Sequence, residues 1–394
     1  MNEAEPVFRG GSRILAASLA LALLGVLALV VGAIVDPRQL FFAYLTAYNY
    51  VVSVALGALV FLMICHAMRA GWPTLLRRLL EAMVATLPVV ALLFLPLIPG
   101  LRILYPWLRL DTIADEGARE LVSRKLAYLN LPGFLGRATF YFAVWIVVGT
   151  LLIRWSRRGD VDPAFPAGGK MYVLSTALLP LVALSLSFAS CDWLMSLTPT
   201  WYSTMYPIYY FSGGFLGALS LLTVLTAAAD RAGLIPGIRP SHYYALGRLL
   251  LAFVIFWAYI GFFQFLLIWM ANRPDEVTFY LDRRRGGWLL MSVILVVTHF
   301  VLPFLVLLNY RLKRRRGPLT AVAAWLLAVH YLDVHWLVMP GARPSGRVWS
   351  FLDLGALLAI AGVVVAFGVY RMRGRLMVPI HDPELPRARS YDSR

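Results

Sequence analysis

The sequence predicts an all-α, polytopic membrane protein with ten transmembrane helices. The chain has 394 residues, of which 60% are hydrophobic and only 14% are charged, and its mean hydropathy is +0.74. Soluble domains are about 45–50% apolar and about 25% charged, and a globular chain of this size still needs a polar exterior. The composition therefore excludes soluble enzyme folds, disordered chains and collagen-like fibres.

Ten apolar runs have the length of about 20 residues that an α-helix needs to cross a bilayer. They are Ile14–Val35, Phe41–Met68, Leu76–Ile98, Phe134–Trp155, Met171–Leu197, Ser203–Ala229, Tyr244–Met270, Gly287–Tyr310, Leu319–Met339 and Phe351–Arg371. We expect residues 1–394 to form a single integral membrane domain, with two four-helix bundles (spans 2–5 and 6–9) and two peripheral helices. The first run is too long for a signal-peptide core and lacks a cleavage site, which predicts a retained helix.

The distribution of Lys and Arg predicts the orientation. With the N-terminus inside, 23 of the 36 Lys and Arg fall on inner segments and 13 on outer loops. Because cytoplasmic loops are enriched in these residues, we expect both termini to be cytoplasmic. The net charge of +16 then reflects membrane orientation, and we expect membrane lipids and no nucleic acid as partners.

Two cysteines, Cys65 and Cys191, fall near opposite faces of the membrane in this arrangement, so we expect them not to pair. The sequence contains no CxxC or CxxCH motif, and therefore no signature of a covalently bound haem or an iron–sulfur cluster.

Two segments outside the spans have a predicted structure. In the outer loop at residues 99–133, Thr112-Ile-Ala-Asp115 resembles a capping box and apolar residues then recur at helical spacing. These are Ile113, Ala118, Leu121, Val122, Leu126 and Leu129. We expect an amphipathic helix that either lies in the headgroup layer or docks a partner. Residues 372–394 are charged and rich in Pro, which predicts an extended cytoplasmic C-terminal arm.

Proline and glycine inside the spans predict local distortion and close packing. We expect kinks where a proline removes a backbone donor, at Pro88, Pro96, Pro180, Pro207 and Pro303. Gly213-x-x-x-Gly217 is a close-packing motif, which serves either packing within the chain, the favoured interpretation, or dimerisation.

Ionisable residues inside the membrane are the candidate site residues, because each costs about 2.5–3.5 kcal/mol on insertion scales. His66 and Glu81 fall near the inner face, and His299 and His330 near the middle. Asp192, Asp333, His335 and Asp353 fall toward the outer face.

Carboxylates and imidazoles that change charge at accessible pH suit a proton relay. A carboxylate in hydrocarbon without a cation should also have a raised pKa, which would let it bind and release protons near neutral pH. The alternative is that each polar group only joins neighbouring helices. For Glu81 these alternatives are a pair with Arg77, four residues earlier, or a proton entrance formed with His66. No spacing typical of a metal site such as HExxH occurs, and we expect no metal.

Several separated motifs extend over nearly the whole chain. They are Ala70-Gly-Trp72-Pro-Thr-Leu-Leu-Arg77-Arg78-Leu-Leu-Glu81 with Pro88 and Leu93-Phe-Leu-Pro96; Lys125-Leu-Ala-Tyr128-Leu-Asn130 with Arg137 and Tyr141; Asp192-Trp193-Leu-Met-Ser196-Leu-Thr-Pro199-Thr-Trp201-Tyr202-Ser203-Thr204; Trp257-Ala-Tyr259, Gln264 and Trp269 with Ala271-Asn272-Arg-Pro274-Asp-Glu276; and His299, Pro303, Asp333, Trp336, Pro340 and His381-Asp382-Pro383. Together they resemble a large integral subunit of bacterial alternative complex III, the F-type of its two related NrfD-like subunits.

This resemblance implies a subunit of a respiratory quinol:cytochrome c or other electron-acceptor oxidoreductase in the bacterial cytoplasmic membrane. The implied partners are the NrfD-like C-type subunit, an iron–sulfur subunit and multihaem cytochrome subunits. Haems and iron–sulfur clusters then belong to those partners, and the C-type subunit is credited with quinol oxidation. For the F-type chain the resemblance implies support of assembly and a possible role in proton translocation, with menaquinone or another quinone as a candidate ligand.

Two further interpretations stay open from the residues alone. A free-standing secondary transporter also places polar residues near the membrane midplane. An intramembrane enzyme would need a clustered acid–base or metal site facing one leaflet.

Overall fold

The computed structural model describes residues 7–343 and 348–393, apart from the side chain of Asp275. Residues 1–6 of the polar N-terminus, the loop residues 344–347 and residue 394 of the C-terminal arm lie outside this description. The α-helices are α1 (Ser12–Val35), α2 (Pro37–Ala67), α3 (Arg77–Val84), α4 (Leu87–Leu92), α5 (Leu101–Leu104), α6 (Glu116–Arg124), α7 (Leu131–Val161), α8 (Ala167–Trp193), α9 (Tyr206–Arg231), α10 (Pro240–Ala271), α11 (Pro274–Asp282), α12 (Gly287–Leu295), α13 (Leu302–Leu308), α14 (Tyr310–Lys313), α15 (Arg316–Ala342), α16 (Phe351–Met372) and α17 (Leu385–Arg389).

Within the described residues, nine helices are long and apolar enough to cross a membrane, and a bent pair of shorter segments brings the number to ten. The bent pair, Trp72–Leu92 and Leu95–Leu104, turns by 44° and corresponds to the third predicted span. Its break has a sequence cause, since Pro96 and Pro99 each remove a backbone donor. The prediction of an all-α, polytopic membrane fold is confirmed.

The helices form two packed groups that meet along α2 and α9. In the first group α2 packs against α3 and α8, and α7 packs against α8; in the second, α9 packs against α10 and α15, and α10 against α13. α2 and α9 are the most buried membrane helices because they form the contact between the groups. This is the expected arrangement of spans 2–5 and 6–9.

The first and last membrane helices, α1 and α16, pack against each other at the edge of the protein. Their contact is built on small residues. A Cβ atom on Gly25 would lie 2.3 Å from the Ala359 backbone nitrogen and 2.5 Å from the Gly355 oxygen. A Cβ atom on Gly362 would lie 2.7 Å from the Ser18 oxygen of α1. Close backbone approach through small residues is a common way for membrane helices to associate.

The C-terminal arm folds back across the end of the helix groups instead of extending away from them. Val7 and Leu376 form an isolated antiparallel β-bridge, and Asp382 accepts a 2.6 Å hydrogen bond from Arg77. The arm then forms the short helix α17 and contacts the start of α10. Both ends of the described chain therefore lie at the same end of the protein, here called the terminal end.

At the opposite end, the segment of residues 99–133 contains the predicted amphipathic helix in a shorter form. Its N-cap is Asp115, whose side chain accepts a hydrogen bond from the Ala118 amide, so the expectation of a capping box starting at Thr112 is wrong. Thr112 instead ends a 3₁₀ turn. Val122 is the buried residue of α6, and most of its other side chains are exposed.

Candidate functional site

Asp333 is the centre of a buried cluster of polar side chains in the second helix group. It lies on α15 about 13 Å from the end of that helix, at a rise of 1.5 Å per residue. Tyr209 of α9 donates a 2.5 Å hydrogen bond to Oδ1, and the indole N–H of Trp257 on α10 donates a 3.1 Å bond to Oδ2. Asp333 pairs with no Lys or Arg in the part of the chain that the structure describes.

His330 lies one helical turn deeper than Asp333 and connects it to α2. Its Nδ1 atom is 3.7 Å from Asp333 Oδ2, and its Nε2 atom is 2.8 Å from the hydroxyl of Ser53. Space for the imidazole comes from Gly213 and Gly217, where an added Cβ would lie 3.1 Å and 2.8 Å from the His330 ring. The small-residue motif therefore packs within the chain, as favoured, and accommodates the site.

His299 is the third ionisable residue of the cluster. Its ring is 4.2 Å from the Trp257 ring and 6.5 Å from the His330 ring, measured between centroids. The side chain is fully buried, and neither ring nitrogen has a hydrogen-bond partner in the described part of the chain. His299 lies in a π-helical turn, Val296–Val301, a distortion that is frequent at functional sites. We call Ser53, Tyr209, Trp257, His299, His330 and Asp333 the central cluster.

The central cluster has the composition of a proton-binding site. A carboxylate without a basic partner is costly inside a bilayer, so whether it is ionised depends on the hydrogen bonds and protons that neighbouring groups supply. Here the neighbours are one hydroxyl, one indole N–H and two imidazoles. Each cluster histidine has at least one ring nitrogen without a hydrogen-bond partner among the described residues, and an unprotonated ring nitrogen can accept a proton.

Asp192 and Asp353 lie outside this cluster, and each has a cation. Arg137 donates two hydrogen bonds of 2.9 Å to Asp192, and Tyr141 donates a third. Arg343 binds both oxygens of Asp353 at 2.9 Å, and Asp353 also accepts from the Ser350 amide as part of the capping box of α16. The expectation of a carboxylate without a cation is therefore wrong for both residues. The local sequence does not indicate either partner, since Arg137 is distant in sequence from Asp192 and Arg343 lies in the loop before α16.

Glu81 lies at the terminal end in a network of alternating charges. Its main partner is Arg78, with an N–O distance of 2.5 Å, whereas Arg77 is 3.7 Å away. Arg78 also binds Asp160 of α7, and Arg77 turns to Asp382 of the arm. The expected pair with Arg77 is therefore secondary, and the network joins α3 to α7 and to the C-terminal arm.

The two remaining candidate histidines are also outside the cluster. His66 is near the end of α2 at the terminal end, and its Nε2 atom has no hydrogen-bond partner within residues 7–343 and 348–393. His335 faces the loop before α16, where Nε2 lies 2.9 Å from the Val348 carbonyl and the ring stacks on Trp349 at 4.4 Å. Of the eight candidates, His299, His330 and Asp333 are brought together.

Residues that sequence reasoning missed include the neutral members of the cluster, Ser53, Tyr209 and Trp257. A buried hydroxyl on α9 was also missed. Ser220 is fully buried, and its hydroxyl has no hydrogen-bond partner among the described residues. It lies on the same face of α9 as Gly213 and Gly217, toward the terminal end. That spacing is the one available signal, since Ser, Thr and Tyr do not stand out in an apolar run.

A cavity of about 830 Å³ lies beside the central cluster, between α10 and α12. Tyr209 and Trp257 line its deep end, and Arg283 and Arg284 line the end at the membrane surface. Arg283 is buried and donates to three backbone carbonyls, including that of Trp336 at 3.2 Å. Pro340 lies four residues after Trp336 and has no N–H to donate to this carbonyl, so the guanidinium takes over that role.

Burial lowers the pKa of Arg283 to about 10, which leaves it charged at neutral pH. The helix C-terminal carbonyls that it binds are a favourable environment for a cation.

Among the described residues, no group of three or more His, Cys, Asp or Glu is arranged to hold a metal ion. Comparison of the sequence with models of known protein families and with curated proteins finds no match.

Proposed function

We propose that this chain is an integral membrane subunit of a respiratory quinol:electron-acceptor oxidoreductase of the alternative complex III type. In this proposal it carries no redox centre, supports assembly of the complex in the bacterial cytoplasmic membrane, and has its termini in the cytoplasm. The resemblance of the motifs from Ala70 to Pro383 supports this assignment. The haem, iron–sulfur and C-type subunits would carry out electron transfer and quinol oxidation.

Within that complex we assign proton transfer to the central cluster. The observation that carries this assignment is Asp333, a buried carboxylate that is held by neutral donors and has no Lys or Arg partner among the described residues. The other membrane carboxylates of the candidate set are bound by arginines. Since those three carboxylates are engaged in ion pairs, Asp333 is the carboxylate of the set best placed to exchange a proton.

The path toward the terminal end would run from Asp333 through His330, whose ring contacts Ser53. It would then reach the buried hydroxyl of Ser220, on the face of α9 that carries Gly213 and Gly217. A hydroxyl group both donates and accepts, which suits it to pass a proton when a water molecule joins it to its neighbours. The Ser220 hydroxyl has no partner among the described residues, and this supports the role, since buried hydroxyls are normally satisfied.

Assembly is tested by purification of the chain from its native membranes. A tag on the C-terminus, followed by mild detergent extraction, should recover a second polytopic subunit and the absorbance of haem. Recovery of the tagged chain alone, without haem absorbance, would contradict the proposed complex.

A free-standing secondary transporter is the second candidate, and the position of the central cluster near the midplane favours it. It predicts a chain that is stable and active when purified alone. The same purification separates the two functions, because a transporter would be recovered without haem proteins.

A further inference from the structure

The cavity between α10 and α12 has the shape of a groove that runs from the membrane surface to the middle of the protein. Its wall on α10 extends from Trp269 to Ile255, about 21 Å at the helical rise, and its wall on α12 and the following π turn from Leu289 to Phe300, about 16 Å. Both walls contain half-exposed apolar side chains, so the groove faces lipid. The α12 wall is about as long as the hydrocarbon of one leaflet, about 15 Å, and the α10 wall is somewhat longer.

The polar groups deep in this groove already have partners. Trp257 and Tyr209 donate to Asp333, and Gln264 is bonded to Tyr280 at 3.2 Å. A ligand with a polar head at the deep end would have to displace these bonds. Nearer the surface end, the buried Arg283 is also occupied, since it donates to three carbonyls.

The surface end of the groove is different. Arg273 pairs with Glu276 and Arg285 pairs with Asp282, each at 3.5 Å. Arg284 lines the groove, is exposed, and has no ion pair or hydrogen bond from its side chain to any described residue. An exposed cation with no partner among the described residues therefore lies where the phosphate of a membrane lipid would be.

We propose that this groove binds an anionic phospholipid, with the phosphate at Arg284 and an acyl chain along α10 and α12. The charge of Arg284 complements the anionic headgroup, and the apolar walls complement the chain. The end of the chain would cover Tyr209 and Trp257 and would keep water away from the lateral side of the central cluster. This inference does not depend on the respiratory assignment, since it concerns only the surface of this chain.

The test is native mass spectrometry of the protein purified from its own membranes, with whichever subunits accompany it. After partial delipidation, phosphatidylglycerol and phosphatidylcholine with the same acyl chains are added in equal amounts. Wild type should retain phosphatidylglycerol preferentially. Arg284→Gln should lower the ratio of bound phosphatidylglycerol to phosphatidylcholine about fivefold, the effect of one basic residue at an anionic membrane surface.

Two further variants complete the test. Arg102→Gln removes an exposed arginine elsewhere and should leave the ratio unchanged. Leu289→Trp narrows the groove and should reduce retention of both lipids. An equal ratio in wild type and Arg284→Gln would overturn the proposal. A structure of the purified protein that shows a quinone ring or a helix of another subunit in the groove would also overturn it.

Discussion

Replacement of Asp192 by Asn should destabilise the protein without acting on proton transfer. Asp192 is fully buried and accepts three hydrogen bonds, two from Arg137 and one from Tyr141. Asn keeps the shape of the side chain but removes the charge, so the guanidinium of Arg137 loses its counter-ion. The variant therefore measures how much this ion pair contributes to holding α7 against α8.

The expected magnitude follows from burial. Removal of one partner from a fully buried ion pair costs about 3–5 kcal/mol. The side chain of Arg137 is 23% exposed and can be partly hydrated once unpaired, so we expect a loss of about 2–3 kcal/mol for Asp192→Asn. Arg137→Gln leaves a fully buried carboxylate without a cation and should cost more, about 3–5 kcal/mol. In the double variant, the loss should be smaller than the sum of the two single losses.

The free energy of unfolding can be measured by titration with sodium dodecyl sulfate in mixed micelles. Asp111→Asn, at an exposed position of the same end of the protein, is the control and should lie within about 0.5 kcal/mol of wild type. Equal stability of Asp192→Asn and Asp111→Asn would refute the reasoning, as would additive losses in the double variant.

Three further variants test other parts of the structure. Gly25→Val should lower the free energy of unfolding by about 3 kcal/mol, because its Cβ would overlap the backbone of α16. Leu24→Val, at an exposed neighbouring position, should have little effect, and equal melting temperatures of the two variants would contradict this packing. Val7→Cys with Leu376→Cys should form a disulfide on mild oxidation, because the two residues pair in a β-bridge; reduced thiols after oxidation would argue against the arm position. Arg283→Gln should cost about 3 kcal/mol, since three carbonyls lose a charged donor, and wild-type thermal stability would contradict its role.

The membrane fold could be predicted from the sequence because apolar runs of bilayer length dominate the chain. Helix positions agreed with the runs, and the broken third span followed from its prolines. The ends of the helices could not be predicted well, since they extend past the apolar run wherever polar residues reach the headgroup layer. Residues 131–161, for example, form one helix around the shorter run Phe134–Trp155.

The candidate site could be predicted only in part. His330 and Asp333 share one helix, so their proximity followed from helical spacing, but the approach of His299, Tyr209 and Trp257 depends on how three helices pack. The pairing of Asp192 with Arg137 was missed for the same reason. The two residues are far apart in sequence, and no local pattern indicates that their helices bring them into contact.

The central claim, that Asp333 transfers protons, is tested most directly by Asp333→Asn in the purified complex reconstituted into proteoliposomes. Asn can still accept a hydrogen bond from Tyr209 or Trp257, and no arginine among the described residues loses a counter-ion, so the assembly and haem content should be those of wild type. Quinol oxidation should persist at least in part while proton translocation, followed with a pH-sensitive dye, falls well below wild type. Asp333→Asn complexes that translocate as many protons per electron as wild type would contradict the account and would make Asp333 a structural carboxylate.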